Sequence, residues 1–241
     1  MKNKELWVET KFVKTKQGYI PSSDPKQLGI GSRFIASIQL KVYETIIKQH
    51  ATGLLLDLGC GNVPLYEIYK EYISDNICVD WENTLHKNPY LDYQIDLNDK
   101  LPLESEQFDT ILATDLLEHI AKPELLISEI TRVLKPGGKI ILTVPFFYWL
   151  HEKPHDYFRY TEFALKMFCE NNNLTIVSLQ AYGGAPEVIL DIIAKKIANS
   201  PNKSKLHLLF SKKFINSGFG KKLSSQTSQD FPLGYCLVAQ K

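Results

Sequence analysis

The chain lacks most of the features that would assign it to a specialised class of protein. It has only four cysteines, and they show neither metal-ligand spacing nor a disulfide framework, so the sequence predicts no metal site. Its net charge of +1 gives no global field, which argues against nucleic acid as a partner. No apolar run reaches the length of a membrane span, and the amino terminus has no apolar signal region. These absences predict a cytoplasmic globular protein.

One short segment, residues 54–62 with the sequence LLLDLGCGN, indicates a ligand pocket. Its apolar run is typical of a strand that is buried on both faces of a parallel sheet. Asp57 comes near the carboxyl end of this strand, and Gly59 and Gly61 let the backbone turn sharply and approach a ligand. Because open α/β sheets bind ligands at that edge, the segment predicts a nucleotide-type pocket.

The glycine loop lacks the third glycine of a dinucleotide-binding loop. That pattern requires glycine at position 64, where this chain has Pro64, so an NAD-dependent enzyme is disfavoured. About nineteen residues after Gly61, the apolar stretch 77–79 ends in Asp80, and an acid there can accept both hydroxyls of a ribose. A further predicted strand, 93–97, carries Asp96. These acids favour a nucleoside ligand of another kind.

The order of these motifs resembles that of class I S-adenosylmethionine (SAM)-dependent methyltransferases of the type 11-like group. The motifs that carry the resemblance are DLGCG at 57–61, Asp80, the Asp-Leu pair at 96–97, FD at 108–109, LEH at 117–119 and LKPGG at 134–138. The resemblance covers roughly residues 30–182 and the final strand. It implies an α/β fold: a Rossmann-like, seven-stranded, mostly parallel sheet with helices on both faces and an antiparallel last strand.

The same resemblance implies SAM as the methyl donor. The cofactor-binding residues that it implies are Asp57, Gly59, Cys60, Gly61, Asp80, Trp81, Asp96, Leu97 and Thr114. Asp57 and the two glycines would wrap the methionine part, and Asp80 would hold the ribose. Trp81 would flank the adenine, Asp96 and Leu97 would meet its edge, and Thr114 would lie beside the sulfonium.

A second dense cluster of chemistry-bearing residues, 145–160, follows a predicted strand and is therefore expected at the ligand edge. Its part from His151 to Thr161 resembles a signature of methyltransferases associated with bacterial surface-polysaccharide genes. His151 and His155 titrate near neutral pH and Asp156 could orient either imidazole, so these three are the predicted catalytic residues. The predicted acceptor-binding residues are His119, Tyr148 and Arg159. The alternative is a satellite aromatic core with a local ion pair between Asp156 and Arg159.

The predicted domain organisation is an N-terminal extension, 1–32, followed by one methyltransferase domain, 33–241. An insert, 183–234, separates the last two strands and carries eight lysines against three acids. One interpretation is a helical lid or a dimer face whose lysines are solvated. The other is peripheral contact of residues 186–215 with an anionic membrane. The sequence does not determine an oligomeric state.

Three functional hypotheses follow. The first is a SAM-dependent O-methyltransferase that acts on a saccharide or another small-molecule acceptor. The second is an N- or C-methyltransferase for a quinone-like or lipid acceptor, which the aromatic cluster and the basic insert would suit. The third is a non-catalytic module that binds SAM. A direct displacement at a sulfonium needs mainly alignment and desolvation, so the sequence alone does not identify the acceptor.

Overall fold

The computed structural model describes residues 1–81 and 88–241. The strands in chain order are β1 Phe12–Thr15, β2 Gly18–Pro21, β3 Leu54–Leu58, β4 Asp75–Asp80, β5 Tyr93–Gln94, β6 Phe108–Thr114, β7 Leu134–Pro145, β8 Thr175–Tyr182 and β9 Gly234–Gln240. The α-helices are α1 Arg33–His50, α2 Tyr66–Tyr69, α3 Pro123–Val133, α4 Glu162–Asn171, α5 Ala185–Lys196, α6 Pro201–Asn216 and α7 Gly218–Thr227.

Seven strands form one sheet with the order β5-β4-β3-β6-β7-β9-β8. The first five of these run parallel, whereas β9 lies between β7 and β8 and is antiparallel to both. The chain moves outward from β3 in one direction to β5 and then continues from β6 on the other side of β3. The strand order therefore reverses beside the carboxyl end of β3, which is where open α/β sheets bind ligands. The predicted fold class is confirmed.

The apolar residues of the central strands alternate between two cores, one on each face of the sheet. Leu55 belongs to the core that packs against α1, and its neighbour Leu56 belongs to the core on the opposite face. Ile140 and Ile141 of β7 divide in the same way. Because side chains alternate along a strand, a run of consecutive apolar residues supplies both faces at once. This explains why LLL predicts a central strand.

The helix α1 has the bounds that its periodicity predicts, and Ala36, Leu40, Tyr43 and Ile47 form its buried face. Two other predictions were too long. The sequence of residues 66–72 predicts a helix, which in the structure ends at Tyr69, and the predicted strand 93–97 keeps only two residues of ladder pairing. The motif LKPGG does end a helix, since α3 stops at Val133, but it also belongs to β7.

A bulge accounts for this behaviour of the glycine motif. Leu134 pairs with Phe108 and Lys139 pairs with Thr110, so residues 135–138 lie opposite a single residue of β6. Gly137 has a positive φ of 81°, which a glycine adopts without strain.

Two regions outside the family motifs also have regular structure: that of the N-terminal segment was not predicted, whereas the helices of the insert agree with its interpretation as a helical segment. The N-terminal segment contains the antiparallel hairpin β1–β2 and packs onto the domain, with the Trp7 indole donating a hydrogen bond to the Val63 carbonyl. The insert forms α5, α6 and α7, and α5 packs against α1 and the turn at 30–32. No helix in the two described ranges is long and apolar enough to cross a membrane.

Candidate active site

Two adjoining cavities lie at the carboxyl edge of the parallel strands. The larger has a volume of about 480 Å³ and the smaller about 250 Å³. Both are lined by Gly59, Gly61, Asp115 and Glu152, so they meet at the glycine loop. A long ligand with two chemically different ends could therefore occupy both cavities and pass over this loop.

The glycine loop has a backbone geometry that only glycine meets easily. Gly59 and Gly61 have φ values of 64° and 49°, in the left-handed region. A Cβ atom on Gly59 would lie 2.5 Å from Cδ1 of Leu116, so this position also requires close packing. The Gly59 N–H donates to the Val79 carbonyl at 2.8 Å, which ties the loop to β4.

The predicted ribose acid, Asp80, lies in the larger cavity and is held by the glycine loop. Its Oδ2 accepts a hydrogen bond from the Gly61 N–H at 2.8 Å, and its Oδ1 accepts one from the Trp81 N–H at 2.8 Å. Burial raises the pKa of Asp80 despite these two donors. Trp81, Asp96 and Leu97 line the same cavity. The residues predicted for the adenosine part of SAM therefore lie together.

The residues predicted for the other end of SAM line the smaller cavity. These are Asp57, Cys60 and Thr114, together with the shared glycines. Asp57 is almost fully buried, and its Oδ2 accepts a hydrogen bond from the Tyr69 hydroxyl at 3.1 Å. Desolvation outweighs this bond and raises the pKa of Asp57 to about 7. All nine predicted cofactor residues thus line one of the two cavities.

Two acids at the junction of the cavities were not predicted as site residues. Asp115 follows β6 directly, and its Oδ2 accepts hydrogen bonds from the Gln39 amide and the Tyr43 hydroxyl, each at 2.7 Å. Its φ of 50° is unusual for a residue other than glycine. Glu152, with a φ of 48°, enters the junction from the loop after β7. The available signals were the position of Asp115 at a strand end and the position of Glu152 within the cluster 145–160.

The smaller cavity also includes part of the N-terminal segment, which sequence analysis treated as an extension without a role in the site. Thr10, Lys11 and Phe12 line it, at the start of β1. Strand-end reasoning could not find these residues, because β1 belongs to a separate hairpin and not to the seven-stranded sheet.

Only one of the three predicted catalytic residues lines these cavities. His155 does so, with its ring packed edge-on against Trp81 at 4.9 Å and its Nδ1 3.0 Å from the Tyr157 hydroxyl. His151 and Asp156 lie behind this lining and contact each other, with 3.2 Å between Nδ1 of His151 and Oδ2 of Asp156. Burial, followed by the neighbouring His119, lowers the pKa of His151, so its neutral form is favoured.

The predicted acceptor residues also divide. His119 lines the larger cavity, whereas Tyr148 and Arg159 line neither cavity. The Arg159 guanidinium is occupied by both oxygens of Asp156, at 2.5 and 2.8 Å, and by the Trp149 carbonyl. Although burial opposes the charge, this guanidinium holds the pKa of Asp156 at about 2. The alternative of a local ion pair describes these two residues, and the anion-binding role expected for Arg159 has no free donor pair to support it.

Glu118 is a further buried acid beside the larger cavity. It is fully buried, and burial together with the negative charge of Asp115 raises its pKa well above the usual range. His119 and His151 lie next to it, and one ligand atom of each of the three residues falls within 4.8 Å of the others. The cysteine count and spacing could not reveal this set, because the two histidines are far apart in the sequence.

Comparison with known proteins agrees with the arrangement of the fold and the cavities. Residues 56–142 match the family described as "Methyltransferase domain". This segment makes up 87 of the 241 residues of the chain. It contains β4, β5, β6 and most of β3 and β7, and so it includes the glycine loop and the strand ends that line both cavities.

The known proteins that this chain resembles have low sequence identity to it. The ubiquinone biosynthesis O-methyltransferase of Bartonella tribocorum is 28% identical over an alignment of 149 residues, which covers 51% of this chain and 60% of that protein. The chain therefore spans less than two thirds of this curated relative. A SAM-dependent methyltransferase from Archaeoglobus fulgidus has a TM-score of 0.57 at 17% identity, covering 87% of this chain and 97% of that chain.

A second solved structure with a similar fold is named for a different reaction. The [4+2]-cyclase SpnF has a TM-score of 0.55 at 17% identity, covering 87% of this chain and 82% of that chain. At such identities the likeness establishes the fold alone, and one fold hosts several reactions. The predicted fold class is confirmed, and the family that residues 56–142 match agrees with SAM as the predicted cofactor. The acceptor has to be argued from the site.

Proposed function

We propose that the protein is a SAM-dependent methyltransferase that methylates a hydroxyl oxygen of a saccharide or another small molecule. The observation that carries this proposal is the placement of all nine predicted cofactor residues along two joined cavities. The adenosine part of SAM would lie against Asp80, Trp81, Asp96 and Leu97 in the larger cavity. The methionine part would extend past Gly59 and Gly61 toward Asp57.

This orientation brings the reacting centre to the junction of the cavities, where Asp115 and Glu152 lie. SAM supplies an electrophilic methyl group, and the protein has to align the acceptor and exclude water. Carboxylates beside a sulfonium stabilise its positive charge in the bound state. The Asp115 carboxylate is well suited to this role, because Gln39 and Tyr43 hold it in one orientation.

Two observations support oxygen as the acceptor atom. The Bartonella tribocorum relative is named an O-methyltransferase. In addition, His155 and His119 line the larger cavity, and a neutral imidazole there could accept the proton of a hydroxyl. The resemblance of residues 151–161 to the polysaccharide-associated signature supports a saccharide, and methylation of nitrogen or carbon is the alternative that product analysis would detect.

The test combines cofactor binding with methyl transfer. Asp80→Ala removes the acceptor for the ribose hydroxyls and the bond from the Gly61 N–H that holds the glycine loop, so we expect calorimetric SAM affinity to fall about tenfold or more. Asp75→Ala is the matched control, since Asp75 lies on the same strand with 66% of its side chain exposed. Equal SAM affinities of the two variants would contradict the pocket assignment.

The acceptor is sought with labelled methyl groups. Purified protein and labelled SAM are incubated with panels of nucleotide sugars, glycans, phenols and lipids. We expect incorporation into a hydroxyl-bearing compound, and mass spectrometry locates the methylated atom. SAM binding without incorporation into any panel would favour the non-catalytic module.

A further inference from the structure

We propose that Glu118, His119 and His151 form a binding site for a divalent transition-metal ion, of the Zn²⁺ or Mn²⁺ type, beside the larger cavity. This departs from the sequence expectation of no metal. Two histidines and one glutamate form one of the ligand sets that zinc uses at catalytic sites, where a further position stays open. The existence of the site is independent of the proposed function, whereas its role in catalysis rests on that function.

The distances between the ligand atoms fit one shared ion. Oε1 of Glu118 lies 3.7 Å from Nε2 of His119 and 3.8 Å from Nε2 of His151. Ligands that are each about 2.0–2.2 Å from one ion lie roughly 3.0–3.5 Å apart. The two distances from Glu118 exceed this range by less than one ångström, and the ligand atoms of all three residues lie within 4.8 Å of one another. The three side chains therefore need to move inward only a short way to share an ion.

The Glu118 carboxylate has no partner of its own in the structure. The side chain is fully buried, and neither of its oxygens has a hydrogen-bond partner among residues 1–81 and 88–241. An unpaired buried acid is costly, and such groups in native proteins usually serve an ion, a water molecule or a reaction. A cation between Glu118 and the two histidines would satisfy this carboxylate.

The tautomers of both histidines leave the correct nitrogen for a metal. Nδ1 of His119 lies 2.6 Å from the His155 carbonyl, which can only accept, so this nitrogen donates its proton. Nδ1 of His151 lies 3.3 Å from the Trp149 carbonyl, which likewise can only accept, and 3.2 Å from the carboxylate of Asp156. Each Nε2 then carries a lone pair facing Glu118. Histidine ligands of metals are typically oriented by such bonds from the other ring nitrogen.

The open side of this set faces the larger cavity. His119 lines that cavity, and Oε2 of Glu152 lies 3.9 Å from Nε2 of His119. Glu152 is largely exposed and could complete the coordination or give way to a ligand. An acceptor hydroxyl bound at the open position would pass its proton more easily to the His155 imidazole, which lines the same cavity, because a bound cation stabilises the alkoxide. The metal would thus prepare the oxygen that receives the methyl group.

The first experiment measures metal binding by itself. Chelator-treated full-length protein is titrated with Zn²⁺, Mn²⁺ and Mg²⁺ by calorimetry. We expect one equivalent of Zn²⁺ or Mn²⁺ per chain and weaker binding of Mg²⁺, which prefers oxygen ligands. Glu118→Gln and His151→Ala should each weaken binding about tenfold or more, since losing even a partner of a ligand costs about 10- to 100-fold.

His207→Ala is the matched control, because His207 lies on α6 outside the proposed site. Circular dichroism checks that the variants fold, and His119→Asn replaces any that does not. Absence of stoichiometric binding to the wild type would overturn the proposal. The proposal would also be overturned if the site variants and the control lost metal binding equally, or if none of these variants lost it.

A second measurement separates this proposal from the proposed function. SAM affinity is measured for Glu118→Gln and His151→Ala, and it should stay within a few-fold of the wild type because Glu118 and His151 line neither cavity. If methyl transfer is found, chelation should reduce it and Zn²⁺ or Mn²⁺ should restore it. Stoichiometric metal binding without any methyl transfer would contradict the proposed function but not the metal site. Methyl transfer that chelation does not affect would overturn the catalytic role of the metal.

Discussion

At the scale of single residues, the two buried acids of the cofactor site differ in how they are held. Asp80 accepts hydrogen bonds from two backbone N–H groups, and Asp57 accepts one from a tyrosine hydroxyl. Burial raises the pKa of both, but only that of Asp57 reaches about 7. Asp57 is therefore a carboxyl group whose charge changes near neutral pH, at a position where the ammonium group of the SAM methionine part would lie.

The pKa of Asp57 makes SAM binding depend on pH. A bound ammonium favours the carboxylate, so binding below about pH 7 requires Asp57 to lose a proton, and affinity should rise up to about tenfold per pH unit before levelling off above pH 7. Calorimetry across this range, in buffers of different ionisation enthalpy, checks both the slope and the released proton. Asp57→Asn should bind more weakly with a flat profile; a wild-type profile that is already flat would refute the assignment.

The same shift has a consequence for the free protein. Because the pKa of Asp57 is raised from 3.8 to about 7 on folding, its stabilising contribution is fully present below about pH 4 and is lost as the pH rises through 7. The Asp57→Asn variant should lose this dependence. Urea unfolding of both proteins at about pH 5 and about pH 8 measures it, and an equal pH effect in the two proteins would contradict it.

At the scale of elements, the segment 149–159 is held against the 3-10 helix Leu117–His119 by backbone bonds. The N–H groups of Tyr157 and Phe158 donate to the Glu118 carbonyl at 2.8 and 3.3 Å. Asp156 closes the segment on itself by accepting from the His151 N–H and from Arg159. The segment then enters α4, whose first turn is capped by Thr161 through a bond from the Ala164 N–H. This cap fixes where the segment ends.

Removal of the cap should lower stability without changing the site residues. Thr161→Ala is expected to reduce the free energy of unfolding by about 1 kcal/mol, and Thr161→Asn, which can also cap a helix, should retain most of it. Urea denaturation measures both. Thr45→Ala is the control, because Thr45 is exposed within α1 and bonds only to a helical carbonyl, and alanine should be tolerated there. Equal losses in Thr161→Ala and Thr45→Ala would contradict the capping role.

At the scale of the whole molecule, charge and exposed apolar area concentrate on the insert. Residues 183–234 carry eight lysines and three acids, whereas the whole chain has a net charge of only +1. Leu206 and Leu209 of α6 are 70% and 69% exposed, and Phe210 is also exposed. No residue of the insert lines either cavity, so the residues that line the cavities do not support the interpretation of the insert as a lid. A dimer face and a membrane-contacting face remain.

We propose that this face of the insert contacts anionic membranes, since its lysines would meet lipid headgroups and its apolar side chains the acyl boundary. The protein should co-sediment with vesicles that contain anionic lipid, less so with neutral vesicles, and less at high salt. Leu209→Ser with Phe210→Ser should weaken this binding. Phe163→Ser is the control, because Phe163 is 70% exposed but lies on α4. A protein that forms dimers and binds no vesicles would favour the dimer face.

Much of the fold and of the cofactor site could be predicted from the sequence because their signals are local. The run LLL describes a strand buried on two faces, and an acid or a glycine just after such a strand must lie at the ligand edge. This reasoning found Asp57, Asp80 and Asp96. The short ladder of β5 was mispredicted, since the end of a strand depends on its neighbour and not on its own residues.

Tertiary structure alone decided the rest. The smaller cavity needs Phe12 from a hairpin outside the main sheet, and the junction needs Glu152 from a long loop. The set of Glu118, His119 and His151 depends on the path of the segment after β7. This path brings His151 next to His119, which lies 32 positions earlier in the sequence. The sequence by itself thus determined the sheet and the residues of the proposed SAM pocket, because strand ends meet at one edge. Only the folded chain decided which side chains face the acceptor, because loops that are distant in sequence bring them together.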